Sequence, residues 1–236
     1  MTEARALKPS PEAALAALEA SVTTCRRCPR LVAWREAAAA DPPRRYAGQT
    51  YWARPVPGFG DPAARVLIVG LAPAAHGGNR TGRVFTGDRS GDFLFASLHR
   101  TGFANQPTSV ARDDGLRLTD AWVSATVRCA PPANRPLPDE RDRCLPWLDE
   151  ELRLLGGIRV AVGLGAYGWD GFLRAAAAAG HRARPRPVFG HGAEAEIGPY
   201  RLLGTYHPSQ QNTFTRRLTP PMLDAVLERA WAIAIG

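Results

Sequence analysis

The chain has 236 residues, of which 45% are hydrophobic and 22% charged. That length suits one large core, and no Gly- or Ser-rich linker divides it, so we expect one domain over residues 1–236 with a flexible tail at 1–10. The sequence contains no run of about 18 apolar residues, which excludes a membrane-spanning helix. Residues 1–24 also lack the apolar core of a signal peptide, so we expect a soluble, monomeric, cytoplasmic protein.

The charge is strongly positive, with a formal net value of +8. Long-range attraction and counterion release both favour a polyanionic partner for such a chain. All of the basic residues except Lys8 are arginines, a bias that coding composition would also produce. An alkaline surface without a ligand therefore stays open as the alternative.

The first predicted element is a helix over residues 11–24, with Ser10 as its N-cap and Pro11 in its first turn. Its apolar residues recur at helical spacing: Leu15, Leu18 and Val22. Residues 41–62 are crowded with proline, glycine and aromatic residues. This composition predicts an irregular ordered segment.

Four short apolar segments then predict strands, at residues 65–71, 122–127, 158–164 and 200–206. The intervals are long enough for crossover helices, expected at residues 93–100, 139–155, 167–179 and 221–235. Uninterrupted Val, Ile and Leu content is typical of parallel strands buried on both faces. The sequence thus predicts a three-layer α/β/α sandwich with a central four-stranded parallel sheet. The N-terminal helix is expected to be attached to this domain by a metal cluster.

The cysteines of the chain are Cys25, Cys28, Cys129 and Cys144. A close pair followed by two distant cysteines is typical of one metal or cluster site, and a long cysteine-poor chain is unlike a disulfide scaffold. Zinc sites tend to use two close pairs, which the Cys129-x14-Cys144 spacing is not. We therefore expect a structural iron–sulfur cluster of the 4Fe-4S type, with zinc and free thiols as the alternatives.

Polar loops follow three of the predicted strands, at residues 70–88, 128–136 and 207–213. In open parallel sheets, ligands bind beyond the carboxyl ends of the strands. We therefore expect these loops to converge on one rim and to form the functional site there.

Two of these loops resemble motifs of the uracil-DNA glycosylase superfamily. Gly70 opens the turn GLAPAAHGGNRTGR after the first strand, and His207 opens HPSQQN after the last. With the four cysteines the similarity narrows to the iron–sulfur branches, and Ala72 before Pro73 resembles the family 5 (type b) enzymes. The resemblance implies a DNA base-excision repair glycosylase that hydrolyses the N-glycosidic bond of uracil and other deaminated bases. The base is flipped into a pocket, and the DNA is expected to be double-stranded.

The resemblance also assigns catalytic residues. Asp88 positions the hydrolytic water, because Ala72 stands where other branches carry a polar residue; alternatively, Asp88 caps a helix that starts near Ser90. His207 donates a hydrogen bond to the departing base, or is a satisfied polar residue. Asn134 matches an asparagine near the pocket, although an asparagine among prolines also suits a turn.

The remaining implied contacts concern substrate and DNA. Gly70 and Ala72 line the base pocket, and Phe85 either stacks on the flipped base, at about 1–3 kcal/mol, or packs in the core. Seven polar or basic residues are expected to contact DNA, with a solvated loop as the alternative: Arg80, Arg83, Ser209, Gln210, Gln211, Arg216 and Arg217.

Strand cleavage by a Schiff base requires an amine, and the sole lysine, Lys8, lies in the expected tail. We therefore expect a monofunctional glycosylase without lyase activity. The alternative is a non-catalytic DNA-binding or damage-sensing protein with the same fold and cluster. In that case Ala72, in place of a polar residue, indicates that activity was lost. A zinc-stabilised nuclease would need a carboxylate-rich centre, and the loops offer chiefly Asp88.

Overall fold

The computed structural model describes residues 10–236, so most of the predicted tail, with Lys8, lies outside the described residues. Six strands are present: β1 (Phe59–Gly60), β2 (Val66–Gly70), β3 (Ala121–Ala125), β4 (Val160–Leu164), β5 (Glu194–Ile197) and β6 (Tyr200–Thr205). The α-helices are α1 (Pro11–Thr23), α2 (Pro29–Ala40), α3 (Gly78–Thr81), α4 (Arg89–Arg100), α5 (Pro138–Leu154), α6 (Gly165–Ala178), α7 (Gln210–Phe214) and α8 (Pro220–Ile235). No helix in this part of the chain is both long and apolar enough to cross a bilayer.

The strands form one sheet in the order β1-β3-β2-β4-β6-β5. The four inner strands are parallel, which confirms the predicted parallel sheet. The antiparallel edge strands β1 and β5 are additions that the sequence did not predict. Gly70 pairs with Ala125, and Leu164 with Thr205, so the carboxyl ends of the inner strands lie along one edge.

Each inner strand buries both of its faces. In β2, Val66 and Ile68 pack in the core formed with α4 and α8, whereas Leu67 and Val69 pack in the core formed with α5 and α6. Helix α1 lies on α5 at the outside of this second layer. This arrangement confirms the three-layer α/β/α sandwich, and it explains why the strands show no polar alternation.

Two N-terminal helices flank the close cysteine pair, Cys25 and Cys28. Helix α1 begins as predicted, with the Ser10 Oγ accepting a hydrogen bond from the Ala13 N–H at 3.3 Å. Helix α2 was not predicted; it begins at Pro29, directly after Cys28. Proline at a first helical position is favoured because its missing N–H has no partner there. The close cysteine pair therefore lies in the connection between these two helices.

Candidate functional site

The loops beyond the carboxyl ends of the strands hold most of the strained backbone. Among the described residues, six non-glycine residues have positive φ angles, and four of these lie on the connections that leave the carboxyl ends of inner strands: Phe85, Ala133, Asn134 and Arg216. Such conformations cost about 1–3 kcal/mol each, and they persist where surrounding contacts hold them, often at ligand sites. The strain therefore marks the rim that the sequence predicted as the functional site.

Phe85 and His207 meet at this rim. Their ring centroids are 5.7 Å apart, with the planes inclined by 38°. Phe85 also packs tightly on Gly70, where an added Cβ atom would lie 2.7 Å from the ring. Phe85 is only 8% exposed and belongs to the core, and its ring also faces His207 at the rim. The two predicted roles, core packing and a place in the base pocket, are therefore geometrically compatible.

The His207 imidazole is suited to donate a hydrogen bond in its neutral form. Burial lowers the pKa of His207 to about 4, so the ring is uncharged at neutral pH. The hydrogen bond that fixes this residue runs from Asn212 Nδ2 to the His207 carbonyl oxygen at 2.8 Å. One ring nitrogen of a neutral imidazole carries a proton, which is available to a ligand beside Phe85.

The two carboxylate oxygens of Asp88 have different neighbours. Oδ1 accepts a hydrogen bond from the Gly91 N–H at 3.0 Å and caps α4, which confirms the capping interpretation. Oδ2 faces Gly77, where an added Cβ atom would lie 1.9 Å away. Burial raises the pKa of Asp88 above its ordinary value, although hydrogen bonds from Gly91 and Ser90 oppose the shift. The cap uses one oxygen and leaves the second for chemistry.

Asp88 also lines an open pocket that joins the two motif loops. Gln210 and Phe214, from the segment after β6, lie on the other side of this pocket, and Tyr46 and Asp92 complete its wall. Phe214 is 70% exposed, an unusual state for a large apolar ring. Phe214 was not among the predicted site residues, although an aromatic residue inside a polar loop was the available signal.

Arg83 is a correction to the predicted DNA contacts. It is 5% exposed and forms an ion pair with Asp114 at 2.7 Å. Arg83 Nη2 also donates to the Ser109 Oγ at 2.8 Å. Because its guanidinium is enclosed by these partners, Arg83 stabilises the loop from within and does not reach a ligand.

Arg80 is also occupied by internal contacts. Its three side-chain nitrogens donate to acceptors of Gln49, His76 and Gly87. The bond to the Gly87 carbonyl oxygen, at 2.9 Å, lies next to Asp88. This geometry gives Arg80 a positioning role for the Asp88 loop in place of the predicted DNA contact.

The other predicted residues lie on the rim without taking part in the Phe85 and His207 pair. Asn134 ends a short 3-10 turn and is exposed. Ala72 packs toward Cys129 and Cys144. The polar and basic side chains after β6 are exposed, except for partly buried Ser209, and their DNA contacts stay predictions: Ser209, Gln210, Gln211, Arg216 and Arg217.

Two polar rim residues were not predicted from the sequence. His76 Nδ1 lies 3.0 Å from the Tyr51 hydroxyl, in the loop that leads to Asp88. Tyr167, like Ala72, packs against the buried cluster that contains Cys129 and Cys144, and burial raises the pKa of Tyr167 to about 12. Tyr167 was overlooked because β4 runs directly into α6, with no polar loop to mark the rim there.

The four cysteines line a single pocket and form no disulfide. Arg30 binds both carboxylate oxygens of Glu140 at 2.7 Å, which fastens α2 to the start of α5 and brings Cys28 toward Cys144. Within residues 10–236, no three His, Cys, Asp or Glu side chains stand close enough to hold one metal ion.

The donors around this pocket fit a negatively charged group. Three hydrogen bonds end on sulfur: Arg27 Nε to Cys25 at 3.3 Å, Arg35 Nη1 to Cys129 at 3.0 Å and the Arg128 N–H to Cys144 at 3.2 Å. Arg35 is 2% exposed and forms no ion pair with the described residues, and its Nε has no hydrogen-bond partner there. A buried guanidinium requires a countercharge, which thiolates or an anionic cluster would supply.

Comparisons with known proteins agree with these motifs. The sequence model of the uracil DNA glycosylase superfamily matches residues 57–231. A "Type-5 uracil-DNA glycosylase" of Mycobacterium tuberculosis is 56% identical over 219 residues, which cover 92% of this chain and 81% of the relative. The protein of the same name from Thermus thermophilus is 50% identical over 215 residues, covering 91% and 95%. The chain therefore belongs to the type-5 branch of the uracil-DNA glycosylase superfamily.

Proposed function

We propose that this chain is a DNA base-excision repair glycosylase that hydrolyses the N-glycosidic bond of uracil and of other deaminated bases. The observation that carries the proposal is the pair formed by Phe85 and the neutral His207 at the rim. A flat ring beside a hydrogen-bond donor suits a planar base with a polar edge. The substrate is DNA, in agreement with the net charge of +8.

In the proposed reaction, His207 assists departure of the base. When the bond between the sugar C1′ and the base nitrogen breaks, its electron pair leaves with the base. The His207 N–H stabilises the resulting anion at the adjacent base oxygen, as an oxyanion-hole donor does. A protonated imidazole is not required, which agrees with the low pKa of His207.

Asp88 assists the attack of water on the sugar. Its second carboxylate oxygen orients a water molecule, accepts a proton as the water oxygen bonds to C1′, and stabilises the positive charge that develops on the sugar. Ala72 has no polar group for this task, so the water depends on Asp88. The raised pKa of Asp88 makes its carboxylate a stronger proton acceptor than an ordinary aspartate.

The substrate range is tested by measuring excision across a set of duplexes that differ only in the target base. We expect release of uracil from U·G and U·A pairs, and release of hypoxanthine and xanthine as well, because stacking on Phe85 tolerates several bases. Single-stranded versions of the same oligonucleotides test the proposed preference for duplex DNA. Release of uracil alone would refute the broader range and leave uracil excision standing.

We propose further that the enzyme leaves an intact abasic site. The described residues contain no lysine, so no side-chain amine is available at the rim for a Schiff base. Borohydride should therefore trap no covalent adduct between the protein and uracil-containing DNA. An adduct that disappears in Lys8→Ala would contradict this.

We propose that Phe214 enters the base stack when a nucleotide is flipped. It is an exposed apolar ring on the wall of the pocket that Asp88 also lines, and apolar side chains inserted between base steps offset the loss of stacking. We expect Phe214→Ala to lower excision from a U·A duplex about tenfold, and excision from single-stranded DNA less than about threefold. Val110→Ala, which removes another exposed apolar side chain, is the control. Equal losses on single and double strands would argue against a wedge.

The four-cysteine pocket is proposed to hold a 4Fe-4S cluster as a structural brace. Each cysteine would bind a different iron, so the four ligands can stand too far apart for a single zinc ion. Burial raises the pKa of Cys129 to about 11 and that of Cys144 to about 12, so loading the cluster would release protons. When bound, the cluster supplies a rigid anionic link between α2 and α5 and takes no part in the hydrolysis.

The cluster proposal predicts a brown protein with about four iron atoms per chain. Cys129→Ser should lose the visible absorption and lower both the melting temperature and the solubility, because the thiolate ligand and the brace are lost together. Elemental analysis and absorption spectra measure these properties. Stoichiometric zinc without iron would contradict the proposal.

A further inference from the structure

A groove beside α6 carries an unbalanced positive charge. No carboxylate of the described chain lines it, and apolar and proline residues complete a lining that contains four arginines: Arg174, Arg182, Arg184 and Arg186. Nothing in the rim chemistry uses this groove, and none of its arginines belongs to the motif loops.

The ion pairs nearby do not neutralise the groove. Arg174 and Arg186 share one carboxylate, that of Asp170. Arg182 and Arg184 are exposed and have no ion-pair partner within residues 10–236. The four arginines therefore have one carboxylate among them, and the Arg182 and Arg184 guanidinium groups face solvent without an ion pair. Planar guanidinium groups are suited to phosphate oxygens.

The segment that carries these arginines leads back to the rim. Trp169 Nε1 donates to the Pro187 carbonyl oxygen at 3.3 Å, which holds the segment against α6. Phe189 then packs against Tyr206, with ring centroids 6.5 Å apart, and Tyr206 directly precedes His207. From Arg182 to Phe189 the chain spans at most about 25 Å, or about seven base pairs at about 3.4 Å per pair.

We propose that this groove binds the phosphodiester backbone of the DNA duplex on one side of the flipped base. The proposal rests on the proposed function and extends it, because it assigns a second contact surface outside the base pocket. Binding there would be independent of sequence, since phosphate contacts position a duplex without reading its bases.

The test is a triple variant with Arg182→Gln, Arg184→Gln and Arg186→Gln. Binding to an undamaged duplex, followed by fluorescence anisotropy at several salt concentrations, should weaken at least about tenfold at low salt, and the slope of log affinity against log salt should fall by about 2–3. Single-turnover uracil excision at saturating protein should stay within about twofold of the wild type, because the base pocket is unchanged.

The matched control removes three exposed arginines that do not line the groove, with Arg117→Gln, Arg153→Gln and Arg159→Gln. It has the same net charge as the triple variant and should lose far less affinity. Shortening the duplex to about three pairs on one side of the uracil should weaken the wild type and leave the triple variant unaffected.

Equal losses in the two variants, or an unchanged salt slope, would overturn the groove proposal. Failure of the wild type to release uracil would instead overturn the proposed function, and anisotropy on undamaged DNA would still report on the groove. The two failures are therefore distinguishable.

Discussion

Asp88→Asn should lower the single-turnover rate of uracil excision by about 10²–10⁴-fold at neutral pH, because an amide cannot accept the proton of the attacking water. The fold should be unaffected, because asparagine caps a helix about as well as aspartate and the Gly91 N–H keeps its acceptor. Excision kinetics and thermal unfolding of the same preparation measure the two properties separately.

Two further variants separate catalysis from capping. Asp92→Asn removes a carboxylate from the wall of the same pocket and should leave the rate nearly unchanged. Asp88→Ala should lose activity like Asp88→Asn, and should in addition lose about 1 kcal/mol of stability with the cap. If Asp88→Asn retained a rate within about threefold of the wild type, the role of Asp88 would be capping alone.

The pH dependence follows from the same carboxylate. Asp88 acts when ionised, and its pKa is raised by burial, so the rate should fall with decreasing pH at a higher pH than for an ordinary aspartate. His207 contributes no titration above about pH 5, since its pKa is about 4. Residual activity of Asp88→Asn should lack this acid limb.

His207→Ala should lower the excision rate by about 10²–10³-fold, the effect of removing one oxyanion-hole donor. His207→Gln, which keeps an N–H donor, should recover part of the loss. The loss should appear in the rate at saturating protein rather than in DNA affinity, because His207 acts on the charge that develops as the base departs. His99→Ala, on the exposed surface of α4, is the control.

The neutral state of His207 is itself testable. A rate that changes near pH 6.5 in both the wild type and Asp88→Asn, and does not change there in His207→Ala, would show that the imidazolium acts. We expect no such change, because protonating this buried ring is unfavourable until the pH approaches about 4.

Local sequence was sufficient for the inner strands and for the rim. The four inner strands lie within one or two residues of their predicted positions, because a strand buried on both faces is a continuous apolar run. The loops were placed correctly because the carboxyl ends of parallel strands share an edge. Phe85 and His207 could be paired only through the motif resemblance, since 122 positions separate them in the chain.

The features that sequence missed depend on distant partners. Arg83 is a basic residue in a polar loop, which is typical of a DNA contact. Its partners Asp114 and Ser109 are distant in sequence, and only folding brings them to its guanidinium. The edge strands β1 and β5 are short, and their antiparallel pairing has no local signal. Helix α2 is alanine- and arginine-rich, and its buried Arg35 interrupts the apolar stripe that would have marked it.

The most direct test of the account incubates the wild type with a duplex that contains one uracil opposite guanine, and quantifies both free uracil and strand breaks before and after alkali. We expect one free uracil for each alkali-labile site, an intact strand before alkali, and initial rates of both products about 10²–10⁴-fold lower with Asp88→Asn. Undiminished DNA binding without release of free uracil would contradict the account and identify a non-catalytic DNA-binding protein.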